Sequence, residues 1–220
     1  IIPKKNGFQI SFSKDGKKGM ISGEAVILAA GSKAAAKLGS DGSGYDLAKM
    51  LGHKLVPVVP ALVQIRCREK LYRQVAGVRT HGKVTVFIDG TETASDIGEL
   101  QLTDYGISGI PVFQISRYAT RALADEKHPY VLIDFAPDLT DKEFFDLLSE
   151  RFYENTHGKS AGEALIGLFN RKLSEVLLSE AGIRSELYAG EVARATLHRL
   201  VKCVKNFRVD ITGSNGMEAA

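Results

Sequence analysis

A glycine-rich stretch, GSDGSGYDLAKMLGH (residues 39–53), has the composition of a phosphate-binding loop that leads into a helix. Dinucleotide-binding turns carry the pattern G-x-G-x-x-G directly between a strand and a helix, because glycine permits the tight turn and lets pyrophosphate approach the backbone. Gly42 and Gly44 fit that pattern, but Leu47 stands where the third glycine is needed. The residues alone therefore favour a glycine loop that precedes a helix over a primary phosphate site.

A second short pattern, GISG at residues 106–109, misses by one residue the G-x-S-x-G turn that exposes a nucleophilic serine. No His and acidic residue are placed to suggest a Ser-His-Asp triad, so a tight turn between strands is the favoured interpretation. The histidines show no i,i+4 pair and the cysteines no metal-type spacing. The sequence therefore predicts no metal site and identifies no catalytic residue.

The charge balance gives little support for a nucleic-acid partner. The chain of 220 residues carries 29 Lys and Arg against 26 Asp and Glu, a net charge of +3. Basic side chains nevertheless cluster twice, at Arg66, Arg68, Lys70 and Arg73, and at Arg199, Lys202, Lys205 and Arg208. Such clusters are usually solvated faces, but they leave open a non-enzymatic binding module whose basic surface engages nucleic acid or protein.

The cysteines and the hydropathy pattern indicate the cellular compartment in which the protein acts. Cys67 and Cys203 are far apart, which favours a reducing, cytoplasmic setting. No stretch approaches the ~18 apolar residues of a membrane helix, and the first residues lack the apolar core of a signal peptide. The chain begins with Ile and ends soon after a strand-like run, so we expect an internal piece of a longer protein.

The first third of the chain predicts a hairpin followed by a helix. Residues 7–12 alternate apolar and polar side chains, and EAVILAA at 24–30 has the pattern of a buried strand. The glycine loop leads into a helix in GYDLAKMLGH, with Gly52 as its stop. In LVPVVPALVQIRC, two prolines restrict the chain to an edge strand or a pair of short strands.

The middle of the chain predicts a β structure. Short β-type runs are separated by turn residues; they are KVTVFIDG, ELQLTDYG, IPVFQIS and YVLIDF. This spacing suits an antiparallel sheet or a small barrel better than alternating βαβ units. Residues 116–125 are expected to form a short helix in its wall.

After Pro137 the apolar period becomes helical. Two capping boxes, Thr140 with Glu143 and Ser160 with Glu163, mark helix starts. The predicted helices lie in DKEFFDLLSERFYE, GEALIGLFNRKLSEVLLSEAG and GEVARATLHRLVKC. A strand in VKNFRVDI follows them, so the helices are expected to form an insertion whose ends lie close together.

Three segments, in their order and spacing, closely resemble a family of bacterial flavoproteins. The segments are VILAAGS, GSDGSGYDLAKMLGHKLVPVVPALV and GELQLTDYGISGIPVFQISR. The family is that of the aminoacetone-oxidase-type FAD-binding enzymes, which include bile-acid reductase relatives, and the resemblance covers essentially the whole chain. Its members open with a pyrophosphate-binding turn and close with a glycine-rich segment at the flavin. Neither occurs here, so the resemblance implies an internal fragment.

The resemblance implies an α+β fold in three parts. Residues 1–54 correspond to part of an FAD-binding α/β domain. Residues 55–138 and 204–212 correspond to a β-barrel-like insert domain, and residues 139–203 to a helical bundle subdomain carried by it. The implied partners are the missing N- and C-terminal parts of the FAD domain.

The resemblance also implies a cofactor segment. In the family, a strand ending in A-T-G-G passes beside the cofactor, because glycine lets the backbone approach a flat ligand. Two departures occur here, Ala for Thr and Ser for the second Gly. The matching residues are Ala29, Ala30, Gly31 and Ser32, and the implied loop bordering the flavin contains Gly39, Gly42 and Gly44.

A substrate-side loop is implied by the family pattern G-E-x-x-F-T-H-x-G-x-S-G-P. Its candidate residues here are Thr103, Asp104, Gly106, Ser108 and Gly109. Asp104 replaces the family's His, which removes the obvious proton donor at neutral pH, and the Pro is displaced by one position. Thr103 and Ser108 are candidates to hydrogen-bond a substrate or the isoalloxazine ring. Alternatively, the glycines serve only the loop's conformation.

These implications predict the central fragment of a FAD-dependent oxidoreductase linked to NAD(P)H and acting on a small molecule. The flavin would carry the hydride, while the protein orients it and excludes water. We expect the isolated chain to be inactive, because it lacks the pyrophosphate turn. The alternative binding module predicts a steeply salt-dependent affinity for nucleic acid, which we consider the less favoured outcome.

Overall fold

The computed structural model describes residues 1–68, 72–154 and 157–220. Lys70, predicted as part of a basic cluster, lies outside the described residues. The chain divides into two units: unit 1 comprises Ile1–Val59 and Met217–Ala220, and unit 2 comprises Pro60–Gly216. Among the described residues no helix is long and apolar enough to cross a membrane.

Unit 1 contains a three-stranded antiparallel sheet of β1 (Ile2–Lys4), β2 (Gly7–Lys14) and β3 (Lys17–Gly23). Asp15 and Gly16 join β2 to β3 with positive φ angles, which suit a two-residue hairpin turn. Helix α1 (Gly44–Met50) follows, and Gly52 has a φ of 88° just beyond its end. The predicted strand at 7–12 and the helix after the glycine loop are therefore confirmed.

The strand predicted at 24–30 is wrong. Residues 25–30 have no regular secondary structure, and the Ile27 side chain is 92% exposed. A strand needs a neighbour for its backbone hydrogen bonds, and the sheet of unit 1 consists of β1, β2 and β3. This segment has the apolar pattern of a strand. It does not form one here, because no strand of the described chain pairs with it.

Unit 2 is built on a closed antiparallel barrel, which confirms the predicted small barrel. Its strands are β4 (Ile65–Cys67), β5 (Arg79–Ile88), β6 (Thr91–Leu102), β7 (Gly106–Ser108), β8 (Pro129–Asp134) and β9 (Phe207–Ser214). The order around the barrel is β4-β7-β6-β5-β8-β9, and pairing of β4 with β9 closes it. Short helix α2 (Tyr72–Val75) lies between β4 and β5.

Helix α3 (Ile110–Ala124) replaces a predicted strand. The β-branched residues of IPVFQIS have the composition of a strand, so that prediction is wrong for residues 110–116. Gly109 begins the helix and Pro111 occupies its first turn, where the fixed φ of proline favours a helix. Val112, Ile115 and Ala119, at helical spacing, are at most 1% exposed, so one face of α3 fills the core. The helix predicted at 116–125 is its second half.

Two hydroxyl groups of α3 hold the chain that enters the barrel. The Val63 N–H donates to Ser116 Oγ at 3.3 Å, and Thr120 Oγ1 donates to the Pro60 carbonyl at 2.6 Å. In the segment predicted as edge or paired strands, only Ile65–Cys67 is a strand. The backbone of residues 60–63 bonds to these helix side chains instead of to a neighbouring strand.

Helices between β8 and β9 form the predicted insertion. They are α4 (Asp141–Ser149), a π-helical turn (Glu150–Glu154), α5 (Ala161–Ala164), α6 (Arg171–Glu180) and α7 (Arg194–Lys205). Both capping boxes are present, at Thr140 and at Ser160. The long helix predicted after Ser160 is instead two helices, because Gly167 takes a φ of 84° and the Asn170 side chain caps α6.

A buried ion pair joins the two ends of this insertion. Lys205 Nζ, on α7, lies 2.7 Å from the Asp134 carboxylate at the end of β8, and the two side chains are 7% and 19% exposed. The same ammonium group donates to the carbonyls of Ala136 and Leu139. The Phe135 N–H bonds to the Val204 carbonyl at 2.9 Å, so the insertion's ends are adjacent, as predicted.

The same contact corrects the predicted basic cluster. Lys205 faces the protein interior, because Asp134 and two carbonyls supply the partners that a buried ammonium group needs. Arg208 pairs with Asp210 at 3.1 Å. The surface proposed for a nucleic-acid or protein partner is therefore smaller than the sequence suggested.

Replacing Lys205 by Met is expected to lower the free energy of unfolding by about 3 kcal/mol, because the partly buried Asp134 carboxylate and the carbonyls of Ala136 and Leu139 would lose their shared cationic partner. The exposed Lys202 on the same helix is the matched control, and Lys202→Met should change stability by less than about 0.5 kcal/mol. Urea unfolding followed by circular dichroism measures both. Equal stability of the two variants would contradict a structural role for the ion pair.

Candidate functional site

The two segments predicted to border a cofactor contact each other in unit 1. A Cβ atom added to Gly31 would lie 2.5 Å from the Ser40 Cβ, and one added to Gly44 would lie 3.0 Å from the Ala30 Cβ. Residues 30–31 thus pack directly against residues 40–44. The structure brings together Ala30, Gly31, Gly42 and Gly44, which lie apart in the sequence.

Glycine is required at two of these positions. Gly31 and Gly42 both have a φ of 79°, which side chains of L residues rarely adopt. The Lys33 side chain runs across Gly42, since an added Cβ there would lie 2.5 Å from its Cγ. The sequence analysis did not single out Lys33, which adds a positively charged side chain to this group of residues.

Side-chain hydrogen bonds shape the turns of the two segments. Ser32 Oγ accepts the Ala34 N–H at 3.0 Å, and Asp41 Oδ1 accepts the Ser43 N–H at 2.9 Å. The hydrogen bond from the Ser43 backbone lowers the pKa of the Asp41 carboxyl. A carboxylate within the loop repels phosphate, which agrees with the absence of a complete pyrophosphate motif.

The remaining predicted cofactor residues are less constrained. Ala29 is exposed, and Gly39 ends a short 3-10 turn over Ala36–Leu38 with no atom within 4 Å of an added Cβ. No hydrogen bond within the described chain uses the backbone groups of residues 25–31. Unpaired backbone donors and acceptors along this segment are those of a strand without a neighbour.

The five predicted substrate-side residues lie together in a turn and strand of the barrel wall. Both the N–H and the hydroxyl of Thr103 donate to the Gly106 carbonyl, at 2.9 and 3.1 Å. Ser108 is 6% exposed within β7, whereas Asp104 is exposed. Thr103 therefore stabilises the turn, and Asp104 is the polar side chain that the turn presents to solvent.

The two glycines of this loop permit close backbone contacts. A Cβ atom on Gly106 would lie 2.3 Å from the Ile65 carbonyl oxygen, and one on Gly109 would lie 2.4 Å from the Glu99 carbonyl oxygen. Gly109 has a φ of 109° and is the N-cap of α3. These glycines therefore fix the path of the loop between β6, β7 and α3.

An arginine beside this loop was missed as an individual site. Arg66 on β4 pairs in register with Gly106, and its guanidinium carbon lies 5.6 Å from the centre of the Tyr105 ring. The sequence placed it only in a basic cluster.

Among the described residues no group of three or more His, Cys, Asp or Glu could hold a metal ion.

Residues 59–220 match the family model described as "HI0933-like protein barrel and H2TH domain". The chain is also 40% identical over 195 residues to 3-dehydro-bile acid delta(4,6)-reductase of Clostridium scindens. That alignment covers 89% of this chain and 47% of the reductase, so the chain spans about half the length of the curated relative. The family match begins one residue before unit 2, which holds the barrel and the helical insertion.

Gly109→Ala is expected to destabilise unit 2 by about 3 kcal/mol, because the new Cβ would meet the Glu99 carbonyl in a backbone conformation that alanine rarely adopts. Gly213 in β9 is the matched control, since an added Cβ there has no atom within 4 Å. Gly213→Ala should change stability by less than about 1 kcal/mol. Thermal unfolding of both variants is the measurement, and a Gly109→Ala protein as stable as the control would show that the loop tolerates a side chain.

Proposed function

The chain belongs to the HI0933-like family, and on this basis we propose that it is the central part of a FAD-dependent oxidoreductase that uses NAD(P)H. Family membership confirms the resemblance to bacterial flavoproteins, and the similar Clostridium scindens protein is a reductase by name. A flavin, when bound, supplies the hydride-transfer chemistry. The protein's part is to hold the flavin, orient a small-molecule substrate and exclude water.

The observation that carries the proposal is that unit 1 lacks an apolar core. Only Gly42 and Gly44 are buried within it. Its large apolar side chains are instead exposed, among them Ile2, Met20, Ile21, Ile27, Leu38 and Met50. Exposed apolar surface on this scale marks a face that another part of a protein covers.

We assign residues 1–54 to an FAD-binding domain that N- and C-terminal parts of the full-length protein complete. The apolar run at 24–30 supports this assignment, because it has a strand's pattern and an unpaired backbone. Residues 55–138 with 204–212 are then the barrel-like insert, and 139–203 its helical subdomain. Such a protein would act in the reducing cytoplasm.

Within unit 1, the backbone of residues 29–32 would hold the flavin. Gly31 and Gly44 keep this segment against the glycine loop without intervening side chains, and Gly39 and Gly42 shape the loop itself. In unit 2, the turn from Thr103 to Gly109 would face the substrate. The rival function, a basic binding module, has less support because Lys205 is buried and Arg208 is paired.

Gly44→Ala in the full-length protein is expected to weaken FAD binding about tenfold, which corresponds to ~1.4 kcal/mol. The added methyl group would lie 3.0 Å from the Ala30 Cβ, so Ala30 must shift by a few tenths of an ångström within the segment at 29–32. Gly23→Ala is the control, because its nearest neighbour is the Ala25 carbonyl oxygen at 3.4 Å. Quenching of flavin fluorescence gives the affinities, with FMN as a second ligand.

The 220-residue chain alone should bind FAD more weakly than the full-length protein and should show no flavin-dependent turnover. Tight, FAD-selective binding by this chain would mean that the site needs no further segment. An unchanged affinity in Gly44→Ala, or an equal loss in Gly23→Ala, would refute the assignment of the flavin to residues 29–44.

A further inference from the structure

Arg66 is an exposed side chain whose orientation is fixed. Its Nε–H donates to Asn215 Oδ1 at 3.0 Å, and its guanidinium group lies over the Tyr105 ring. Asn215 is itself held, because its backbone N–H donates to the Gln64 carbonyl at 3.2 Å and its amide nitrogen to Gln64 Oε1 at 3.3 Å. The Asn215 side chain, itself held by Gln64, therefore fixes the orientation of the arginine.

Within the described part of the chain, the groups that contact the Arg66 guanidinium group carry no negative charge. Asn215 and Tyr105 are neutral, and no carboxylate of the described residues forms an ion pair with this guanidinium group. Some exposed arginines pair with carboxylates, as Arg79 does with Glu99 and Arg171 with Glu175. A fixed but uncompensated cation is suited to an anionic ligand, since much of the cost of ordering the side chain is already met.

The terminal nitrogens of Arg66 retain their hydrogen-bonding capacity. Asn215 engages Nε, and no hydrogen bond within the described residues uses Nη1 or Nη2. Two parallel N–H groups match the two oxygens of a carboxylate or phosphate group, which gives arginine its preference for these anions.

An exposed apolar side chain stands at the other end of the same loop. Arg66 pairs with Gly106 at the start of β7, and Ile110, 71% exposed, follows Gly109 at its end. A cation and an exposed apolar side chain thus stand at the two ends of the same loop.

We propose that Arg66 binds the carboxylate of an apolar substrate at the loop from Thr103 to Gly109, and that Asn215 is its positioning residue. The inference rests on the proposed function in taking this loop as the substrate side. The phosphate groups of a nicotinamide dinucleotide offer the same oxyanion chemistry, so the test separates the two sources.

The test titrates the 220-residue chain with cholate, whose carboxylate is attached to a rigid apolar skeleton, and with its neutral methyl ester, below micelle-forming concentrations. NADPH provides the phosphate arm. Arg66→Gln is expected to weaken cholate binding about tenfold, as expected for a lost charge-assisted hydrogen bond. Its affinity for the methyl ester should stay the same. Isothermal titration calorimetry at low ionic strength measures all three ligands.

Arg68→Gln is the matched control, because Arg68 is exposed and close to Arg66 in sequence. It should leave cholate binding within about twofold of the unsubstituted chain. Equal losses in the two variants would indicate a general charge effect and would overturn the proposal. So would a failure of the unsubstituted chain to bind cholate, or a loss in Arg66→Gln confined to NADPH.

Two variants test the positioning role of Asn215. Asn215→Ala releases the guanidinium group and should weaken cholate binding about threefold, because the side chain must then be ordered when the ligand binds. Asn215→Asp should abolish the contribution of Arg66 to cholate affinity. The new carboxylate neutralises the guanidinium group while still accepting its hydrogen bond. A purely structural role predicts the opposite order, with Asn215→Asp closer to the unsubstituted chain.

Cholate titration and flavin fluorescence of the full-length protein and of its Arg66→Gln variant separate this inference from the proposed function. FAD binding with cholate affinity independent of Arg66 would overturn only the present inference. Cholate binding that depends on Arg66, in a full-length protein that binds no FAD, would overturn the flavin assignment alone.

Discussion

The buried contact between Lys205 and Asp134 is the constraint on which unit 2 depends. A charge removed from water is stable only when its partners are complete, and here one ammonium group meets a carboxylate and two backbone carbonyls. This requirement places the end of α7 beside the end of β8. It thereby returns the chain to the barrel at the point where β9 must pair with β8.

The contact between Lys205 and Asp134 affects both the helical insertion and the barrel. Towards the helices, the apolar faces of α4, α6 and α7 share one core with the barrel, as Phe144, Leu177 and Val204 show. Towards the sheet, β9 can pair with β4 and complete the barrel. β4 then pairs with β7, which places Arg66 opposite Gly106. The geometry of the candidate substrate loop is thus a product of barrel closure.

Local signals predicted much of this fold. The capping boxes at Thr140 and Ser160 mark helix starts because both hydrogen bonds form within a few residues. The alternating runs of the barrel strands were equally clear. Two strand predictions failed for different reasons. IPVFQIS has a strand's residues, but the local signals of Gly109 and Pro111 start a helix there. The run at 24–30 has a strand's pattern, but pairing is non-local and no strand of the described chain pairs with it.

The candidate site divides in the same way. Glycine positions could be read from the sequence through the family resemblance, and the structure shows why Gly106 and Gly109 lack side chains. The burial of Lys205 and the hydrogen bond from Arg66 to Asn215 could not be predicted, since both depend on residues far away in sequence. Composition shows that a charge is present, but only packing shows whether it is paired.

Hydrogen exchange of the full-length protein with and without FAD tests the central claim, that the glycine segments of unit 1 hold a flavin. FAD is expected to slow exchange at the backbone amides of residues 29–32 and 42–44, whose donors lie at or beside the proposed contact. Unchanged exchange at these amides, with protection confined to the helices between residues 141 and 205, would contradict it.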